Sequence, residues 1–139
     1  MNLYTNEYYS ITLKGEEKVM VTKWLAYPST DDFREYTNIA IELATQYQVK
    51  YWLCDNTKGI MLTLDQQRWK AERLAKSMLG SGLQRIALVA PREALYQIVL
   101  YQIAEKFTTL VEDKIAIEAF SKAELANEWL LDGELLHHS

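Results

Sequence analysis

The sequence predicts an α/β fold: a five-stranded, mostly parallel sheet entered through an N-terminal antiparallel hairpin, with four helices packed against it. Three observations predict it. Two alternating apolar runs flank Gly15 near the start of the chain. After them, short apolar segments alternate with amphipathic segments of helical length, the order that a parallel sheet with helical crossovers requires. The helix-length segments also carry start and stop residues where a helix needs them.

In chain order, "YYSITLKGEEKVMVTKWL" (8–25) holds the hairpin. Tyr9, Ile11 and Leu13 share one face of its first run, and Val19 and Val21 share one face of the second. "PSTDDF" begins a helix, with Ser29 or Thr30 as N-cap and Asp31 and Asp32 in the first turn, where the dipole favours negative charge. Phe33, Tyr36, Ala40, Leu43, Ala44 and Tyr47 continue it at three- and four-residue spacing. "KYWLCD" (50–55) is mostly apolar, as expected of a strand covered on both faces. Thr63 and Gln66 have capping-box spacing, Ala71, Leu74, Ala75 and Met78 form the inner stripe, and Gly80 and Gly82 end that helix.

"RIALVA" (85–90) is a second buried strand, and Pro91 opens a third helix at a position proline tolerates. In "REALYQIVLYQIAEKF", Leu95, Ile98, Val99 and Ile103 are expected to face the sheet, while Tyr96, Leu100 and Tyr101 widen the apolar arc. A helix apolar nearly all round is deeply buried or covered by a partner. Tyr96, Leu100 and Tyr101 are therefore expected at a homodimer contact or an apolar pocket. "KIAIEAF" (114–120) alternates again, Ser121 and Glu124 cap a last helix carrying Ala126, Trp129 and Leu130, and Gly133 stops it. No repeat, low-complexity tract or linker interrupts the series, so a single domain over residues 1–139 is expected.

Composition narrows the function classes. The chain is 49% apolar with a formal net charge of -4. A domain of this length buries about 68–70% of its unfolded surface and needs no staple. The acidic balance argues against a nucleic-acid partner, because such proteins carry a clustered basic face. Arg68, Lys70, Arg73 and Lys76 come nearest, but Asp65 and Glu72 are interleaved, which reads as a solvated helix face. Cys54 is the one cysteine, so neither an internal disulfide nor a CxxC metal or redox pair is expected. "MNLYTNEYYS" lacks the basic and apolar regions of a signal peptide, and no apolar run approaches the ~18 residues of a membrane span. The expectation is a cytoplasmic protein.

The usual catalytic patterns find no match. "GSG" at 80–82 precedes a strand, whereas a dinucleotide fingerprint follows a strand and opens a helix, and no GxxxxGK[ST] occurs. His137 and His138 lie in the tail "LLHHS", a poor place to hold an imidazole against a nucleophile. No HExxH or carboxylate–histidine cluster suggests a metal, so neither metal nor cofactor is expected. Cys54 reads as a small core residue, since nothing cationic sits beside it in sequence. An enzyme rests on nothing better than Asp55 beside Cys54.

That leaves residues 55 to 63. In parallel sheets ligands gather beyond the carboxyl ends of strands, where loops and helix N-termini turn unpaired N–H groups outward. Asp55, Asn56, Thr57 and Thr63 put a carboxylate, an amide and two hydroxyls there. The competing reading is local: Asp55 or Asn56 shapes the turn and Thr63 caps the helix.

"KYWLCDNT" (50–57), "GLQRIALVAP" (82–91) and "FSKAELANEWL" (120–130) resemble the uncharacterised bacterial proteins grouped with STAS domains and the Sec14-like fold. STAS domains include the anti-sigma-factor antagonists. The resemblance runs from Tyr8 to Leu130 and rests on hydrophobic framework. It implies a STAS-like, non-catalytic module of the bacterial cytoplasm that binds a partner protein, a nucleotide or a lipid-like molecule. In the phosphorylatable antagonists a strand ending in Asp leads into a D-S-[ST]-G loop, whose hydroxyl at a helix N-terminus is the switch. Asp55 matches the strand-end acid, but "NTKGIMLT" replaces the rest, leaving Thr57 and Thr63 as nearby hydroxyls. The expected function is binding of a partner or small ligand through this loop. A carrier of an apolar small molecule, built around the third helix and Trp69, is the alternative.

Overall fold

The computed structural model describes residues 1–15, 18–58 and 62–138, the last six of these by backbone alone. Residues 59–61, within the stretch 55–63, lie outside the described residues. The hairpin forms as its alternation requires: β2 (Tyr9–Lys14) pairs antiparallel with β3 (Val19–Trp24), Tyr9 opposite Trp24. Gly15 turns the chain at φ +55, in the left-handed region that glycine enters without penalty. Then follow α1 (Thr30–Gln46), β4 (Tyr51–Asp55), α2 (Leu64–Met78), β5 (Arg85–Val89), α3 (Ala94–Val111), β6 (Ala116–Phe120) and α4 (Ala123–His138). β3, β4, β5 and β6 pair in parallel, each with the next.

The sheet has six strands, not the five expected, because β1 (Asn2–Thr5) pairs antiparallel with β2 at its edge. Four residues are too few to show a period, so nothing local marked this strand. Asn6 makes it: its Oδ1 accepts from the backbone N–H groups of Tyr8 and Tyr9, folding the chain back on itself.

Spatial order equals chain order, so each parallel crossover steps the same way across the sheet. Right-handed crossovers that all step one way must leave their helices on one face. Accordingly α1, α2 and α3 share a large core with Met20, Trp52, Cys54, Ile86 and Leu88. The last helix has no further strand to reach and returns over the opposite face. There Ala126 and Leu130 of α4 pack on Tyr51, Leu53, Ala87 and Val89. Alternation along β4 thus feeds two cores, which is why its sequence is apolar throughout.

Four expectations are corrected. Pro91 does not open α3; the helix starts at Ala94 after Glu93, and Gln97 Nε2 donates to the Pro91 and Arg92 carbonyls, holding that turn. The phase of α3 is rotated: Leu95 and Ile98 face outward at 60% and 52% exposure, while Leu100, expected at a surface or pocket, is 6% exposed. The inner stripe is Val99, Leu100, Ile103, Ala104, Phe107 and Val111. With apolar residues on every side, periodicity could not choose the face. Gly133 does not stop α4, which continues to His138, the cost of one helical glycine being only about 1 kcal/mol. Finally, Lys70 is not on a solvated face but buried under α2.

Candidate functional site

β4, β5 and β6 all end at one rim of the sheet, and the loops that leave them build the surface there. Asp55 closes β4 and its Oδ1 accepts from both the backbone N–H of Thr57, at 3.0 Å, and the Thr57 hydroxyl, at 2.7 Å. This is an Asx turn, and it fixes where the Thr57 side chain stands. Asn56 is buried: its backbone N–H donates to Val89 O at 2.9 Å and its Nδ2 to Cys54 O at 3.2 Å. Thr63 accepts from Gln66 N at 3.1 Å while Gln66 Oε1 accepts from Thr63 N at 3.0 Å, a complete capping box on α2. Of the four residues expected at this site, Asp55 and Thr57 stand together at the solvent, whereas Asn56 and Thr63 hold the turn and the helix start.

Beyond Thr57 lies an open cleft of about 300 Å³, lined by Thr57, Ala90, Pro91, Arg92, Glu93 and Ser121. It therefore gathers residues that follow three of the four parallel strands, β4, β5 and β6. Arg92, Glu93 and Ser121 escaped the sequence reading, although the strand-end rule that selected Asp55 applies equally to β5 and β6. Arg92 is the cleft's cation, and Glu93 and the Thr57 and Ser121 hydroxyls are its other polar groups. Such a surface can hold a polar or anionic group by charge-assisted hydrogen bonds.

Tyr96 and Tyr101 occupy different settings. The Tyr96 hydroxyl meets that of Tyr27 at 3.2 Å, joining the loop after β3 to the start of α3. That bond pushes the Tyr27 phenol up. Tyr101 is 56% exposed and lines a small depression with Gln97, Ala119 and Phe120, where α3 overhangs the end of β6.

Beneath α1 and α2 lies a second group of polar side chains. Tyr9, Thr22, Thr37, Trp52, Cys54 and Lys70 surround a void of about 10 Å³, the size that holds one water molecule. Trp52 Nε1 donates to Thr22 Oγ1 at 2.9 Å. Burial pushes the Cys54 thiol up, with Lys70 opposing it, and pushes the Lys70 amine down. A thiol held protonated is a poor nucleophile. Cys54 and Asp55 point to opposite faces of the sheet, so they form no joint centre. Trp69 packs edge-on against Phe33, and the Arg34 guanidinium lies over the Trp69 ring, 5.1 Å from its centroid.

No protein-family profile and no curated protein matches this chain. A solved structure does: an uncharacterised DUF3478-family protein with a SpoIIAA-like fold from Shewanella loihica PV-4. It is 18% identical, covers 92% of this chain and 98% of its own, and superposes with a TM-score of 0.57. The chain therefore has a SpoIIAA-like fold, the class that the STAS resemblance implied. Among the described residues no helix is long and apolar enough to cross a membrane.

Proposed function

We propose that this chain is a single-domain, non-catalytic binding module of the bacterial cytoplasm, which takes a partner protein or small ligand at the rim beyond β4, β5 and β6. The observation that carries the reading is the 300 Å³ cleft, into which Thr57 projects from a turn fixed by Asp55. Arg92 and the two hydroxyls give it hydrogen-bonding groups, and Asn56 and Thr63 keep its frame rigid. The polar groups elsewhere support the non-catalytic part: Cys54 is a buried, protonated thiol, and Lys70 faces a void of one water. The alternative of an apolar carrier built around α3 and Trp69 has less support, because the cleft of about 290 Å³ between α2 and α3 is open and rimmed by the charged Arg68, Glu72 and Lys106, and Trp69 is packed in place.

Photocrosslinking in growing cells tests the site. A benzophenone amino acid is placed at Thr57 or Ser121, and as a control at Gln46, at the opposite end of the helix layer. Rim-specific adducts that disappear with Asp55→Ala and persist with Thr63→Ala are expected. Adducts identical at the rim and at Gln46, or none from the rim, would refute it.

A further inference from the structure

We infer that the rim cleft takes a free α-amino acid with a short aliphatic side chain, held by both of its charges. The inference rests on the reading of the rim as a binding surface and names the chemistry of its ligand. What each polar group has left to offer is the first ground. The Thr57 hydroxyl lies 2.7 Å from Asp55 Oδ1, and a carboxylate oxygen only accepts, so the hydroxyl proton is committed there. Toward the cleft Thr57 therefore presents an acceptor. Glu93 adds a carboxylate, which is a second acceptor. Arg92 brings only donors, and the Ser121 hydroxyl can donate or accept. Arg92 and Glu93 are neighbours in the chain, yet neither charged group has a hydrogen bond or ion pair among the described residues.

This set of groups suits a zwitterion and opposes a single charge. A plain anion would meet Arg92 but also the Glu93 carboxylate and the acceptor side of Thr57, and a plain cation would meet Arg92. An α-amino acid carries both charges on one carbon. Its carboxylate takes Arg92 and Ser121, and its ammonium takes Glu93 and Thr57, each through charge-assisted hydrogen bonds. The second ground is where a side chain would go. The cleft shares Ala90 and Ser121 with the depression lined by Tyr101, Ala119 and Phe120, so the two hollows adjoin at the Ser121 end. That depression holds about 50 Å³, under twice the ~30 Å³ that one water takes in the liquid, which admits a few carbons and no aromatic ring. Gln97 couples the two hollows. It lines the depression, and its Nε2 donates to Pro91 O at 3.0 Å and Arg92 O at 3.3 Å, fixing the turn that carries Arg92 and Glu93.

Titration of L-valine into the isotope-labelled protein, followed by amide chemical shifts, tests this. Saturable shifts at Thr57, Arg92, Glu93 and Ser121 with a Kd below about 1 mM are expected, an affinity that a ligand of this size can reach. N-acetyl-L-valine lacks the ammonium and L-valinamide lacks the carboxylate, so each should bind about tenfold more weakly or worse. Glycine, with nothing to place in the depression, should do the same. Arg92→Gln and Glu93→Gln should each weaken L-valine about tenfold or more. Both residues are exposed and Glu93 makes no side-chain cap bond to α3, so the fold tolerates the changes. No saturable shift at roughly 10 mM, shifts confined to other surfaces, or indifference to both variants would overturn the inference. So would a blocked analogue or glycine that binds as tightly as L-valine. Rim adducts in cells without valine binding would reject this ligand and keep the rim as a binding surface; the absence of both would reject the two together.

Discussion

Lys70 Nζ lies 5.8 Å from the centroid of the Phe33 ring, on the sheet side of α2 and with only 9% of the residue exposed. A buried ammonium loses its hydration, and an aromatic face returns only part of that energy. The titrating group that acts on it is the Cys54 thiol, which is itself held protonated.

Lys70→Met is therefore expected to stabilise the protein by about 1 kcal/mol or more at neutral pH, since it keeps the stem and removes the charge. Burial lowers the Lys70 amine below its ordinary 10.5. Between that lowered value and 10.5 the unfolded chain binds the extra proton, so wild-type stability gains from Lys70 as pH rises. The advantage of Lys70→Met should accordingly be full below the folded pKa and shrink towards pH 10.5. Urea unfolding of both proteins across this range checks it; a gap that widens with pH would refute the assignment.

Thr22→Val removes the acceptor of the buried Trp52 Nε1 while keeping the side-chain shape. An orphaned buried donor costs about 1–3 kcal/mol, and that loss is expected in denaturant unfolding. A change under about 0.5 kcal/mol would show that the indole has found another acceptor.

Cys54 is expected to resist iodoacetamide in the native protein and to react completely in guanidinium, as its thiol is buried and pushed up. Mass spectrometry reads the adduct. Rapid native labelling at pH 7.5 would place the thiol in contact with solvent and reopen the question of a reactive centre.

Thr63→Ala should cost about 1 kcal/mol through the lost cap, with rim crosslinking intact. Asp55→Asn keeps an acceptor for the Thr57 N–H and should change stability by less than about 0.5 kcal/mol. Thermal unfolding separates the two: a large loss with Asp55→Asn and none with Thr63→Ala would reverse the roles given to these side chains.

Much of the fold was legible because the signals are local. The Thr63–Gln66 spacing announces its capping box, Ser29 accepts from Asp32 N as the N-cap, and the runs at 50–55 and 85–90 are apolar on both faces. The rim was half legible. Asp55 and Thr57 follow from the strand-end rule, whereas Arg92 and Ser121 join them only because β4, β5 and β6 lie side by side.

The sequence by itself determined the order of elements, the hairpin, the helix starts at Thr30 and Leu64 and the acidic surface. Each of these depends on residues within a few positions of one another. Only the tertiary structure decided that Asn2–Thr5 is a strand, that α3 turns Leu100 inward and Leu95 outward, and that Lys70 is buried. Those outcomes depend on what lies opposite. A four-residue strand needs a partner to exist, a helix apolar on every side takes its phase from the surface it meets, and a lysine on an inner helix face is buried once the sheet closes beneath it.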